Sequence, residues 1–150
     1  MLEWRSAMNL LIVDDEYLVV EEVVTVTDWE LLGITEIYSA TNAVSAVRIL
    51  NEKKIDIMIC DIEMPQTDGL ELSKKAKENF PDLEIVMLTS HAEFNYVRNA
   101  LRYGCYDYLL KPVMEDDIIK VMKNLVTKIE RERHQAQLQE EGIVWNQLKP

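Results

Sequence analysis

A doubly wound α/β domain, with a five-stranded parallel sheet and helices on both faces, is the fold class this sequence predicts. Three observations carry that expectation. Five short apolar runs recur at residues 9–13, 36–38, 55–60, 85–88 and 106–110, and several are nearly continuous in Ile, Val and Leu. Such runs suit strands buried on both faces better than half-exposed hairpins. The intervening segments, 16–28, 43–52, 70–79, 94–103 and 115 to about 133, are each long enough to cross over between parallel strands as a helix. Finally, 150 residues with 48% apolar content supply one hydrophobic core, so a single domain with short extensions is the default.

The boundary residues agree with this order. Thr41 or Asn42 is placed to cap the second helix and Asp68 the third, Pro81 prevents the third from continuing past Phe80, and Gly104 can end the fourth. In the last helix Ile118, Met122, Leu125 and Ile129 follow the helical period and give it a face to bury. Beyond Arg131 the stripe fades into ERHQAQLQEEG, which reads as a solvated helical extension or linker ending at Gly142. The expected division is an N-terminal extension over 1–7, a domain over 8–130, and a helical extension over 131–150 leading toward a further domain; Trp145 and Leu148 are either the first apolar anchors of that domain or part of a weakly ordered tail. Cys60 and Cys105 are too few and too far apart for a disulfide framework and read as reduced, buried small residues. Met58, Met64 and Met87 read as packing residues.

Charge and hydropathy exclude several functions. The net charge is -11; residues 1–110 carry 9 Lys or Arg against 20 Asp or Glu, and residues 111–150 carry 7 of each. No basic patch stands out, and direct binding to nucleic acid needs clustered cations to displace counterions. The longest apolar runs fall far short of the ~20 residues that span a bilayer. Glu3, Trp4 and Arg5 stand where a secretory signal would be basic and then apolar, so a cytoplasmic location is expected.

In an open parallel α/β sheet, ligands bind beyond the carboxyl ends of the strands. The first predicted strand ends in Asp14 and Asp15, the third in Asp61 and the fourth in Thr89, and the fifth is followed by Lys111. Three carboxylates, a hydroxyl and an ammonium therefore converge on one edge. Carboxylates gathered in this way repel one another, a hard cation with oxygen ligands relieves the repulsion, and Mg2+ suits a shallow site that also holds phosphate oxygens. Singly, each residue has an ordinary explanation: an Asp after a strand is commonly a helix cap, and Tyr108 taken alone is more often a core aromatic. The combination changes the balance.

Four blocks carry a specific resemblance: IVDDE at 12–16, DIEMPQTDG at 61–69, LTS at 88–90 and YLLKP at 108–112. In order and spacing they resemble the signature of response-regulator receiver domains over about residues 8–130. DWELLGI at 28–34 and YDYLLKPV at 106–113 are similar to regulators with an AraC-type DNA-binding output domain. The resemblance implies a flavodoxin-like sheet in the order 2-1-3-4-5. It implies that Asp61 is the phosphoacceptor, served by a sensor histidine kinase or a small phosphodonor. Mg2+ would be held by Asp15, Asp61 and the backbone carbonyl of Glu63, with Asp14 acting through water. Lys111 and Thr89 would bind phosphoryl oxygens, and Thr89 and Tyr108 would form the switch. It further implies a cis Lys111-Pro112 peptide bond and a phosphorylation-dependent homodimer through the fourth helix, fifth strand and fifth helix. The chain is then a signalling module that assists its own phosphorylation and dephosphorylation rather than an enzyme. Glu63 and His91 occupy places that tend to influence phosphoryl lifetime in this family. His91 is read as a solvent-facing loop residue.

Two competing readings fare worse. A phosphatase working through an aspartyl phosphate usually has a second Asp two residues after its nucleophile, where this chain has Glu63. A flavin-binding domain of similar topology needs a Ser/Thr/Gly-rich phosphate loop after the first strand, where Asp14, Asp15 and Glu16 would repel the phosphate.

Overall fold

The computed structural model of the chain describes residues 7–64, 67–90 and 94–148. Five parallel strands, β1 (Met8–Val13), β2 (Ile34–Ala40), β3 (Ile57–Asp61), β4 (Glu84–Thr89) and β5 (Asp107–Leu110), form one sheet in the order 2-1-3-4-5. Five helices alternate with them: α1 (Tyr17–Thr25), α2 (Ala43–Glu52), α3 (Gly69–Asn79), α4 (Phe94–Arg102) and α5 (Glu115–Leu148). A two-residue antiparallel ladder, Glu63–Met64 against Thr67–Asp68, lies between β3 and α3.

Strand alternation divides the core into two layers, because successive side chains point to opposite faces of a sheet. Met8, Leu10 and Ile12 face one side with Val20 and Val23 of α1 and Ile118, Met122, Leu125 and Ile129 of α5. Leu11 and Val13 face the other side with Ala46 and Leu50 of α2, Leu70, Leu72 and Ala76 of α3, and Ala100 of α4. The central strands β1, β3 and β4 are buried along nearly their whole length, which is why they read as unbroken apolar runs. Met58, Met64 and Met87 are buried, as are the free thiols of Cys60 and Cys105. Burial, the largest influence on each, raises the pKa of both thiols.

Several boundaries differ from expectation, each for a local reason. Helix α1 ends at Thr25 rather than near 28. There the buried Trp29 indole donates to Val23 O at 3.0 Å, so a side chain satisfies a carbonyl that another helical turn would have used. The chain then turns through Gly33 at φ 95°, a left-handed conformation that costs glycine nothing. Strand β2 is longer than its 36–38 core, since its ladder with β1 runs from Met8↔Ile34 to Val13↔Ala40. It is the sheet edge, so its exposed Thr35, Glu36 and Ser39 interrupt the apolar pattern without interrupting the ladder. Asn42 caps α2, its side-chain oxygen accepting from Ser45 N at 2.8 Å. Gly104 follows α4 at φ 85°. The Asp68 cap concerns a side chain outside the described set.

The largest difference is in α5. Gly142 does not end it; the helix continues to Leu148. Glycine costs a helix only about 1 kcal/mol relative to alanine. A Cβ at 142 would meet nothing within 4 Å, so this glycine answers no packing demand.

Candidate functional site

The site is built where β1, β3 and β4 end. Asp14 directly follows β1, and its backbone N donates to Ala40 O at 3.1 Å, prolonging the β1/β2 pairing by one bond. Its side chain is fully buried, and Oδ1 accepts from Glu16 N at 2.9 Å just ahead of α1. Asp61 is the last residue of β3, paired in register with Leu88, and is 2% exposed. Its Oδ1 accepts from Glu63 N at 3.1 Å. Asp15 is exposed, so the three carboxylates combine two buried groups with one open to solvent.

One ligand oxygen from each of Asp14, Asp15 and Asp61 lies within 4.8 Å of the others. Lys111 reaches into this cluster from beyond β5, with Nζ 2.8 Å from Asp14 Oδ2 and 3.3 Å from Asp61 Oδ1. Its backbone is fixed by a 2.8 Å bond from Lys111 N to Thr89 O, and the peptide bond to Pro112 is cis. Thr89, buried at the end of β4, stands one residue beyond the register partner of Asp61.

Electrostatics show what the cluster lacks. Burial, then the Asp14 carboxylate, push the Asp61 carboxyl from its ordinary 3.8 up to about 6, against the opposing influence of Lys111 and the Glu63 N–H. Burial opposes the charge on Lys111, but its close approach to the Asp14 and Asp61 carboxylates outweighs burial and its pKa is raised. The contact of Asp14 Oδ2 with Lys111 is an ion-pair approach without the direction of a hydrogen bond, which leaves that buried oxygen with unused acceptor capacity. Three carboxylates against one ammonium leave two negative charges uncompensated, the charge of one divalent cation. An all-oxygen donor set with one solvent-facing member fits a hard cation that keeps part of its water shell.

A pH dependence follows. With its folded pKa raised above the unfolded value, Asp61 binds its proton more tightly in the native state, so its contribution favours folding below about pH 4. That contribution is lost as pH rises through 6. The loss is roughly 2–3 kcal/mol at 1.36 kcal/mol per pKa unit. In metal-free buffer, the native chain should therefore lose that much relative to Asp61→Asn between pH 4 and pH 7, as read by urea unfolding of both proteins at each pH. Parallel stability profiles for the two proteins would contradict the account.

Tyr108 is half-buried against the layer containing Met87 and Cys60, and its backbone N donates to Asp107 Oδ1 at 2.8 Å. His91 lies outside the described residues. Gly69, the first residue of α3, was not singled out by sequence reasoning. A Cβ there would stand 1.9 Å from Asp61 O and 2.9 Å from Ile62 Cα, while Gly69 N donates to Ile62 O at 3.1 Å. Helix α3 thus starts directly against the backbone of Asp61. The available signal was a glycine closing the DIEMPQTDG block at the predicted start of a helix.

A family profile described as "Response regulator receiver domain" matches residues 10–123. The chain belongs to that family. This receiver domain is 34% identical over 124 residues to the uncharacterized transcriptional regulatory protein YesN of Bacillus subtilis, covering 83% of this chain and 34% of YesN. It is 32% identical over 127 residues to the response regulator SaeR of Staphylococcus aureus, covering 85% of this chain and 54% of SaeR. The chain therefore spans only about a third to a half of these curated relatives. Among solved structures, it superposes on the receiver domain of AraT, a response regulator from Geobacillus stearothermophilus, with a TM-score of 0.79 and 30% identity, covering 85% of this chain and 99% of that one. A two-component transcriptional regulator AraC from Clostridium phytofermentans shares the fold, with a TM-score of 0.78, 23% identity and coverage of 85% and 98%. Receiver domains are signalling domains of two-component systems that histidine kinases phosphorylate, and they bind Mg2+ at an acidic pocket. No helix among the described residues is long and apolar enough to cross a membrane.

Proposed function

We propose that this receiver domain is the phosphoacceptor of a two-component response regulator, that Asp61 receives the phosphoryl group from a sensor histidine kinase, and that the change controls a transcriptional output. The observation that carries the proposal is the cluster itself: Lys111 Nζ stands between Asp14 and Asp61, with Asp15 alongside, at the carboxyl edge of the sheet. In the proposed step an Asp61 carboxylate oxygen attacks phosphorus and the P–N bond of the donor phosphohistidine breaks. The histidine departs, leaving an acyl phosphate on Asp61. Asp15, Asp61 and the Glu63 backbone carbonyl would hold Mg2+ directly, and Asp14 would do so through water. When bound, the ion supplies charge neutralisation for the transferring phosphoryl oxygens.

Lys111 and Thr89 would bind phosphoryl oxygens; their standing at adjacent strand ends, joined by the Lys111 N to Thr89 O bond, supports that reading. Movement of Thr89 toward a phosphoryl group would let the half-buried Tyr108 change rotamer, a two-state element that the modification biases. The surface so altered is the face of α4, β5 and α5, where a second copy would dock. The transcriptional relatives, together with the DWELLGI and YDYLLKPV segments, support an AraC-type output domain reached through the extension over 131–150. A cytoplasmic setting accords with such a partner.

The test is intact-mass measurement after incubation with acetyl phosphate, with and without Mg2+. One phosphoryl group per chain, gained only with Mg2+, is expected. Absence of uptake under both conditions would overturn the proposal.

A further inference from the structure

The last buried side chain of α5 is Ile129, yet the helix continues to Leu148 with its residues beyond 133 exposed. Apolar packing therefore stops well before the helix does. Where it stops, a groove of about 560 Å³, lined in part by Phe80, Pro81, Ile129, Arg133 and Ala136, separates the helix from the lower edge of the sheet.

Ion pairs cross this boundary. Asp56, directly before β3, is 5% exposed; its Oδ2 accepts from Asn9 N at 2.7 Å, and its Oδ1 pairs with the Arg133 guanidinium. Glu84, the first residue of β4, is 7% exposed, and its Oε1 takes Lys128 Nζ at 2.8 Å and Lys77 Nζ at 3.8 Å. Two buried carboxylates at the amino edge of the sheet thus hold one cation from each side of Ile129. Buried ion pairs add little net stability over apolar packing, but their directionality can select one geometry among several. A mostly polar helix end whose described residues beyond 133 are exposed has little else to fix its direction or suppress its fraying.

We propose that Asp56–Arg133 and Glu84–Lys128 form an ionic latch that fixes the angle at which the α5 extension leaves the domain, making it a stiff lever instead of a loose tether. The latch sits at the starts of β3 and β4, the two strands whose opposite ends carry Asp61 and Thr89. The inference stands on these contacts alone and does not require phosphoryl transfer to occur.

The test uses the full 150-residue chain with spin labels on Glu22→Cys in α1 and Gln139→Cys in the extension; the native cysteines are buried and resist labelling. Double electron–electron resonance should give one narrow distance distribution in this parent. Adding Arg133→Gln should broaden the distribution by about twofold or more, and adding Asp56→Asn should do the same, because a freed helix end samples a range of angles. Arg133→Lys, which keeps the charge, should restore much of the narrow width. Amide exchange over 130–137 should rise in the Gln variant, while the circular dichroism of the core and uptake from acetyl phosphate stay as in the parent. A distribution already broad in the parent would overturn the latch, as would equal widths in parent and variants. Where either single variant fails to fold, the double variant Asp56→Asn/Arg133→Gln, which leaves no lone buried charge, provides the same comparison with the same two outcomes.

Discussion

A chain carrying Asp61→Asn should gain no phosphoryl group from acetyl phosphate and Mg2+ under conditions in which the native chain gains one. The substitution keeps the shape of the side chain. Its amide oxygen can still accept from Glu63 N and still lies beside Lys111, so neither the β3 terminus nor the ion-pair arrangement has reason to collapse. What disappears is the anionic oxygen that would form the bond to phosphorus. The other two carboxylates are poorly placed to substitute for it. Asp14 is fully buried and engaged by Glu16 N and Lys111, and the exposed Asp15 is outside the pair of contacts that Lys111 makes with Asp14 and Asp61. The loss should therefore reach background, at least a hundredfold below native uptake on the scale of losses seen when a nucleophile is removed. Intact mass reads the outcome directly. A phosphorylated Asp61→Asn protein would sink the assignment of Asp61, and peptide mapping would then identify the acceptor.

The second large effect is expected from Gly69→Ala. A methyl group at 69 would stand 1.9 Å from the carbonyl oxygen of Asp61 and 2.9 Å from its carbonyl carbon, and both are main-chain atoms that cannot rotate away as a side chain can. Either α3 retreats from the sheet, opening the packing of Leu70, Leu72 and Ala76, or the end of β3 shifts and takes the Asp61 carboxylate with it. Overpacking of this kind typically costs 1–3 kcal/mol, and a rigid main-chain obstacle places this case at about 3 kcal/mol. Displacement of Asp61 should also slow uptake from acetyl phosphate by roughly tenfold or more, since small misplacements of a reacting group are expensive. Gly142→Ala supplies the contrast. Its Cβ meets nothing, and alanine favours the helix it sits in by about 1 kcal/mol over glycine, so helicity should rise slightly with uptake unchanged. Urea unfolding of the three proteins decides the matter. A Gly69→Ala chain within 0.5 kcal/mol of native would show that the α3–β3 approach is not as tight as described.

How much of this was legible in the residues depends on which forces act locally. Strands β1, β3 and β4 announced themselves because burial on both faces demands unbroken Ile, Val, Leu and Met. The Thr41-Asn42 pair and Gly104 announced two helix ends because capping and positive φ are satisfied by few residue types, and the structure chose Asn42 as the cap. The site residues were legible because each follows or ends a strand, and parallel strands deliver such residues to one edge. By themselves, then, the amino acids determined the fold class, the strand count, the edge at which the site lies and the residues gathered there. They also determined the family, through the spacing of four blocks. Tertiary structure decided what depends on partners distant in the chain. The full length of β2 is set by its ladder with β1, and the end of α1 by the buried Trp29 indole. The need for glycine at 69 comes from the backbone of a strand eight residues earlier. The raised pKa of Asp61 arises from burial and from Asp14, 47 positions away. The Asp56–Arg133 ion pair joins the start of β3 to a part of α5 that lies 77 residues away. Hydropathy and propensity report what a residue prefers within its own turn or strand; an ion pair, a clash or a desolvated carboxylate exists only once packing has brought its two halves together.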